Sequence, residues 1–132
     1  QTSSISDMAI ASIVKTCEYL GIHMKSDVFS EMNLRIPNVN APDEWALYIT
    51  KESGYDTYVN PPGGRSFFDP EKYKKHNIDL QFLEQEIVPY RQKGKEFIPA
   101  LSIIDVMMFC SKDQIASMLR QYQIRRSCIE QV

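Results

Sequence analysis

Long hydrophobic runs are missing from this sequence, and so is an excess of charge of either sign. The most apolar stretch, IPALSIIDVMMFC over residues 98–110, is broken by Ser102 and Asp105. It falls well short of the ~20 residues a membrane-spanning helix needs, so no membrane association is expected. Fifteen Lys and Arg stand against seventeen Asp and Glu, a net charge of −2. A dedicated nucleic-acid binder carries a basic excess, so no nucleic-acid partner is expected either. Cysteine is sparse: Cys17, Cys110 and Cys128 are odd in number and form no CxxC or CxxH spacing. That argues against a disulfide framework or a structural zinc site and fits reduced thiols in a cytoplasmic protein. The two histidines, His23 and His76, have no second His, Cys or Asp at ligand spacing, and no metal site is expected. No basic, apolar leader opens the sequence, and its first residue is Gln1 rather than Met. It therefore reads as a piece of a longer polypeptide, with an N-terminal domain or chain missing that would complete a pocket.

What is present is 43% apolar residues in a chain of 132. That is length for a single domain, which buries roughly two thirds of its unfolded surface. Ser6 predicts a helix start, with Asp7 in the first turn and an apolar stripe of Ile10, Ile13, Val14, Cys17 and Leu20 ending at Gly21. Residues 22–29 alternate loosely and suggest a strand, and residues 30–41 read as a loop. Pro42 opens a second helix whose expected inner face is Trp45, Tyr48, Ile49 and Ala46, with Gly54 ending it. Residues 55–60, YDTYVN, read as a strand, so that 22–60 forms a βαβ unit with parallel strands. Pro70 opens a short basic helix over 70–76, with His76 at its negative end. IDLQFLEQE, residues 78–86, reads as a strand with Ile78, Leu80 and Phe82 on one face. Residues 89–97 are loop. Residues 98–110 predict a helix capped by Ser102, with a buried strand as the competing reading. Ser111 and Gln114 have the spacing of a capping box for a last helix with Ile115, Met118, Leu119 and Tyr122 inside. Met107, Met108 and Met118 are read as core fill, and residues 123–132 as loose. The fold class expected is α/β: a small, mostly parallel sheet flanked by helices.

The segment Asn60-Pro61-Pro62-Gly63-Gly64-Arg65 carries the most chemistry. It follows a strand, and ligands of open α/β sheets bind beyond the strand ends. Gly63 and Gly64 permit positive φ angles, which would turn successive N–H groups inward as an anion nest. Arg65 adds a fork that matches phosphate or carboxylate. On pattern alone the same residues read first as a stiff turn carrying a solvated arginine. No GxxxxGK[ST] or GxGxxG motif is present. Asp69 and Asp105 are the candidate catalytic carboxylates. Asp105 lies in an apolar segment and needs a partner: backbone N–H groups at its helix start, or Arg65. Ser102 reads as an N-cap or a ligand hydroxyl. Lys72, Lys74 and Lys75, and Arg91, Lys93 and Lys95, read as solvated faces, the second flanked by Tyr90 and Phe97.

The stretches VNPPGGRSFFDPEKYKKHNIDLQFLE and FIPALSIIDVMMFCSKDQIASML, together with KTCEYLGIHMKSDVF, resemble the WbqC-like protein family over roughly residues 13–122. The likeness is to the family's C-terminal portion, because the family's opening Gln-Pro-aromatic segment is lacking here. The resemblance implies a bacterial cytoplasmic protein of O-antigen or other surface-polysaccharide biosynthesis, with transfer of an amino acid or acyl group to a sugar as one implied activity. The partner expected is an anionic small molecule, a nucleotide or sugar phosphate; which cofactor serves it, if any, is left unknown. The resemblance gives weight to Gly63, Gly64, Arg65 and Asp69 as site residues, with Ser102 and Asp105 either in the site or structural. A non-catalytic module organising a biosynthetic complex is the alternative.

Overall fold

A computed structural model describes residues 4–127. Among the described residues the contacts gather into two units, one of residues 4–28 and 87–120, the other of residues 29–86 and 121–127.

The second unit holds the sheet. Helix α2 (Pro42–Glu52) is followed by strand β1 (Thr57–Asn60), a 3-10 segment (Pro62–Phe67), helix α3 (Pro70–Lys75) and strand β2 (Asp79–Gln85). Strand β3 (Tyr122–Arg126) returns to the same sheet, in the order β1-β2-β3. β1 lies parallel to β2 and β3 antiparallel to it. The α/β class is as expected; the sheet is mixed, with one parallel and one antiparallel pair. The βαβ unit runs from β1 through α3 to β2 and not from residues 22–29, which form no strand. Every residue from Gly21 to Asp27 is exposed, and among the described residues no neighbouring strand takes their N–H and C=O groups, without which alternation alone makes no strand. Residues 122–126 form β3, where Tyr122 was expected on the inner face of the last helix and 123–126 as loose chain; that helix stops at Leu119, and Tyr122 is 47% exposed on the strand. All five are exposed, a polar edge strand of the kind that resists further pairing. Residues 128–132, including Cys128, lie outside the described residues.

Ile78, Leu80 and Phe82 do share one face, and all three are buried with Leu47 and Tyr73. The fully buried face of α2 is Asp43, Leu47 and Thr50, spaced at four and three; of the expected inner face, Tyr48 packs against the core from its edge, Ala46 and Ile49 are half-buried and Trp45 is exposed. A buried aspartate breaks the apolar stripe, and the eye settles on the neighbouring aromatics instead. Trp45 is 48% exposed and meets Phe29 edge-on at 5.8 Å. Gly54 ends the helix as expected, with φ 75°. His76 caps α3, within 3.4 Å of the Lys51 ammonium.

The first unit holds helices α1 (Ile5–Leu20), α4 (Ile103–Phe109) and α5 (Lys112–Leu119). α1 starts two residues earlier than expected, with Ser4 rather than Ser6 as N-cap. It ends at Gly21, φ 71°, where the Ile22 N–H closes onto the Cys17 carbonyl. Its apolar stripe is only half-covered, and no residue of α1 or α4 is fully buried. Ile115 on α5 is buried. The Ser111–Gln114 capping box is present in both directions. Ser102 caps α4, so the helical reading of 98–110 holds, over a shorter span. Met108 is 76% exposed and is not core fill.

No helix among the described residues is long and apolar enough to cross a membrane.

A candidate anion-binding cleft

The Gly-Gly segment does not form a nest. Neither glycine has a positive φ, because Pro62 starts a 3-10 segment that carries both in right-handed geometry. Gly64 is needed for a different reason: it is buried, and a Cβ there would run into the Asn60 amide nitrogen and come within 2.9 Å of the Phe68 ring. Its N–H is spent on the Pro61 carbonyl at 3.3 Å. Asn60 is equally occupied. Its amide donates to the Pro61 carbonyl at 2.9 Å, and its carbonyl accepts from the Tyr58 hydroxyl at 3.0 Å. Burial raises the pKa of that phenol, which keeps it a donor. Asn60 and Gly64 thus lock the corner, while Gly63 faces open space.

The corner's product is the placement of Arg65. Its guanidinium lies over the Phe82 ring, 4.9 Å from the centroid, and its Nη2 donates to Glu84 Oε1 at 3.0 Å. Register explains the rest. Phe82 and Glu84 are two apart on β2 and share a face. Phe82 pairs with Arg125 on β3, which brings Arg125 to that same face, and its Nε donates to Glu84 Oε2 at 2.7 Å. One carboxylate is therefore held between two guanidiniums. Arg65, Phe68, Pro70, Phe82, Arg125 and Arg126 line an open cleft of about 490 Å³. Arg126 belongs to the alternate set of side chains and pairs with Asp79 at 3.3 Å. Planar forks over an aromatic floor suit a phosphate or a carboxylate.

The candidate carboxylates are placed elsewhere. Asp69 is the N-cap of α3, accepting from the N–H groups of Glu71 and Lys72 at 3.0 and 3.4 Å. Ser102 and Asp105 belong to the first unit. Ser102 Oγ accepts from the Ile104 N–H at 3.3 Å. The partner of Asp105 is neither Arg65 nor its helix start but the Tyr90 hydroxyl, at 2.5 Å. That bond raises the pKa of Tyr90, and desolvation adds to it. Phe97 meets Tyr90 edge-on at 5.6 Å.

Sequence reasoning missed Glu84, although a signal existed: in IDLQFLE it continues the apolar face of Ile78, Leu80 and Phe82. It also missed Arg125, for which there was no signal once the C-terminal stretch had been read as loose. Lys72 is not a solvated charge. Its ammonium donates to the buried Asp43 at 3.0 Å and to Glu44 at 3.2 Å. The Asp43 carboxylate also accepts from the Asp69 N–H at 3.2 Å, and the Asp43 carbonyl accepts from the Tyr73 hydroxyl at 2.8 Å. This network ties α2 to the start of α3, the segment that leads out of the Arg65 corner.

No curated protein and no solved structure matches the chain. The profile of the WbqC-like protein family matches residues 1–117, so the likeness begins at the first residue and is not confined to the stretch 13–122 whose motifs suggest it. With most of its length matched, the chain belongs to the WbqC-like protein family.

Proposed function

We propose that this chain supplies the anion-binding part of a cytoplasmic transferase of bacterial surface-polysaccharide biosynthesis, and that it takes the phosphate of a nucleotide or sugar nucleotide in the cleft of Arg65 and Arg125. The observation that carries the reading is the Arg65 guanidinium, stacked on Phe82 and aimed with Arg125 at one point. The bond to Glu84 engages one nitrogen, Nη2, of a fork that carries five N–H donors. Family membership supports the pathway. The role of Gly64 and Asn60 is to shape the corner that presents Arg65, with the exposed Gly63 beside it. Asp69 holds the following helix, and Asp105, tied to Tyr90 within the first unit, is given no part in this cleft.

Titration with a sugar nucleotide tests this. Arg65→Ala should weaken binding by about 1–2 kcal/mol, the low end for a charge-assisted contact because the arginine is half-exposed. Unchanged affinity removes Arg65 from the site. The second reading, an interaction module, is favoured by Ile104, Met108 and Phe109 standing exposed on α4. It requires no response to sugar nucleotides in the same titration.

A further inference from the structure

We propose that Glu84 is an internal competitor for the ligand of this cleft, and that it restricts the cleft to phosphate esters carrying a dianion or a diphosphate. The inference rests on the anion-binding reading above and names its ligand class and the residue that sets it.

Glu84 uses one oxygen on each arginine, Oε1 on Arg65 and Oε2 on Arg125. Its carboxylate therefore fills the position that an incoming oxyanion would take between the two forks. β2 fixes it there, since Glu84 follows the buried Phe82 on the same face and is paired to Gln123 of β3. A ligand carboxylate entering the cleft would replace one carboxylate by another. The charge is the same and so is the number of acceptor oxygens, so the exchange gains nothing. A terminal phosphate brings three acceptor oxygens and close to two negative charges near neutral pH, and for it the exchange is favourable. The surroundings lean the same way. Arg65, Arg125 and Arg126 stand against Glu84 and Asp79, leaving one positive charge in surplus. Both bridges are part-exposed, so each is weak and Glu84 can be released. Apparent affinity then scales with the fraction of molecules in which the arginines are free.

The experiment is calorimetric titration of the whole chain with sodium pyrophosphate and, separately, sodium succinate, at constant ionic strength. Glu84→Gln should bind pyrophosphate about three- to tenfold more tightly, the factor expected from releasing two part-exposed bridges. Succinate, silent with the unmodified chain, should become measurable. Glu84→Asp keeps the charge but is one methylene too short to span both arginines, and should tighten binding in the same direction by less. Weaker or unchanged pyrophosphate binding in both variants overturns the proposal, since Glu84 would then be a pin that organises the arginines. Arg65→Ala, run alongside, separates the two failures. If it binds pyrophosphate as the unmodified chain does, the anion-binding reading itself falls. If it loses binding while the Glu84 variants also lose it, only the competitor role falls.

Discussion

Phe82→Ala should destabilise the fold by about 3–5 kcal/mol, the range for emptying a phenylalanine site in a packed core. Phe82 is 2% exposed and sits in the cluster with Leu47, Tyr73, Ile78 and Leu80. Phe68 meets it edge-on at 6.1 Å with the rings 88° apart, an arrangement that adds to the area buried. The site cannot collapse cheaply, because strands lie on both sides of it: Phe82 is paired to Asn60 on β1 and to Arg125 on β3. A whole-domain stability of 5–15 kcal/mol is typical, so this one substitution removes a large share of it. Urea unfolding followed by far-ultraviolet circular dichroism reads the loss as a lower midpoint. Phe82→Leu distinguishes the ring's two duties. It keeps most of the volume and should cost under about 1.5 kcal/mol, but it removes the flat face beneath Arg65. Anion binding should then weaken in a protein that still folds. A Phe82→Ala protein as stable as the unmodified chain would show that the ring is not the centre of this core.

The sheet's middle strand was legible because its side chains alternate cleanly: Ile78, Leu80 and Phe82 fall on one face whatever surrounds them. Helix ends were legible where local chemistry decides them, as at Gly21, Pro70, Ser102 and Ser111. The arrangement of charges was not. Asp43 and Lys72 are 29 residues apart, and nothing local announces that an acid in the first turn of one helix will be buried against a lysine from another. β3 was illegible for a related reason. YQIRR has one aliphatic residue, and its strand character comes from the ladder offered by β2. The candidate site divides along the same line. Arg65 was found because Pro-Pro-Gly-Gly marks an unusual corner, yet the corner works by close packing at Gly64 rather than by positive φ angles. Glu84 and Arg125 meet Arg65 only through strand register, which a single sequence does not reveal when one of the strands is unrecognised.

Asp43→Ala should cost about 2–3 kcal/mol, because it leaves buried donors without their acceptor. The carboxylate is 2% exposed and takes bonds from the Lys72 ammonium and the Asp69 N–H. The loss stays below that of a fully buried ion pair because Lys72 retains Glu44 and reaches solvent. Asp43→Asn separates charge from hydrogen bonding: its amide oxygen can still accept from Asp69, so it should be the milder change. The pH profile gives an independent reading. The bond to Asp43 raises the pKa of Lys72 above its ordinary 10.5, so this contribution is complete below 10.5 and is lost as pH rises through the folded-state value. Burial raises the pKa of Tyr73 as well, so its neutral phenol adds to the same alkaline loss. Glu44 behaves oppositely. Accepting the Asn40 N–H, with Lys72 beside it, lowers its pKa below 4.5, so its contribution is present above that value and fades as pH falls through the lowered one. Unfolding midpoints measured from pH 2 to pH 12 should therefore show a plateau with a fall at each end. The gap between the unmodified chain and Asp43→Ala should be widest on the plateau and close on the alkaline side, where Lys72 loses its charge and Asp43 is left buried without a cation. A gap that stays constant through the alkaline limb would mean that Asp43 stabilises α2 and α3 through the Asp69 N–H alone, with no help from Lys72.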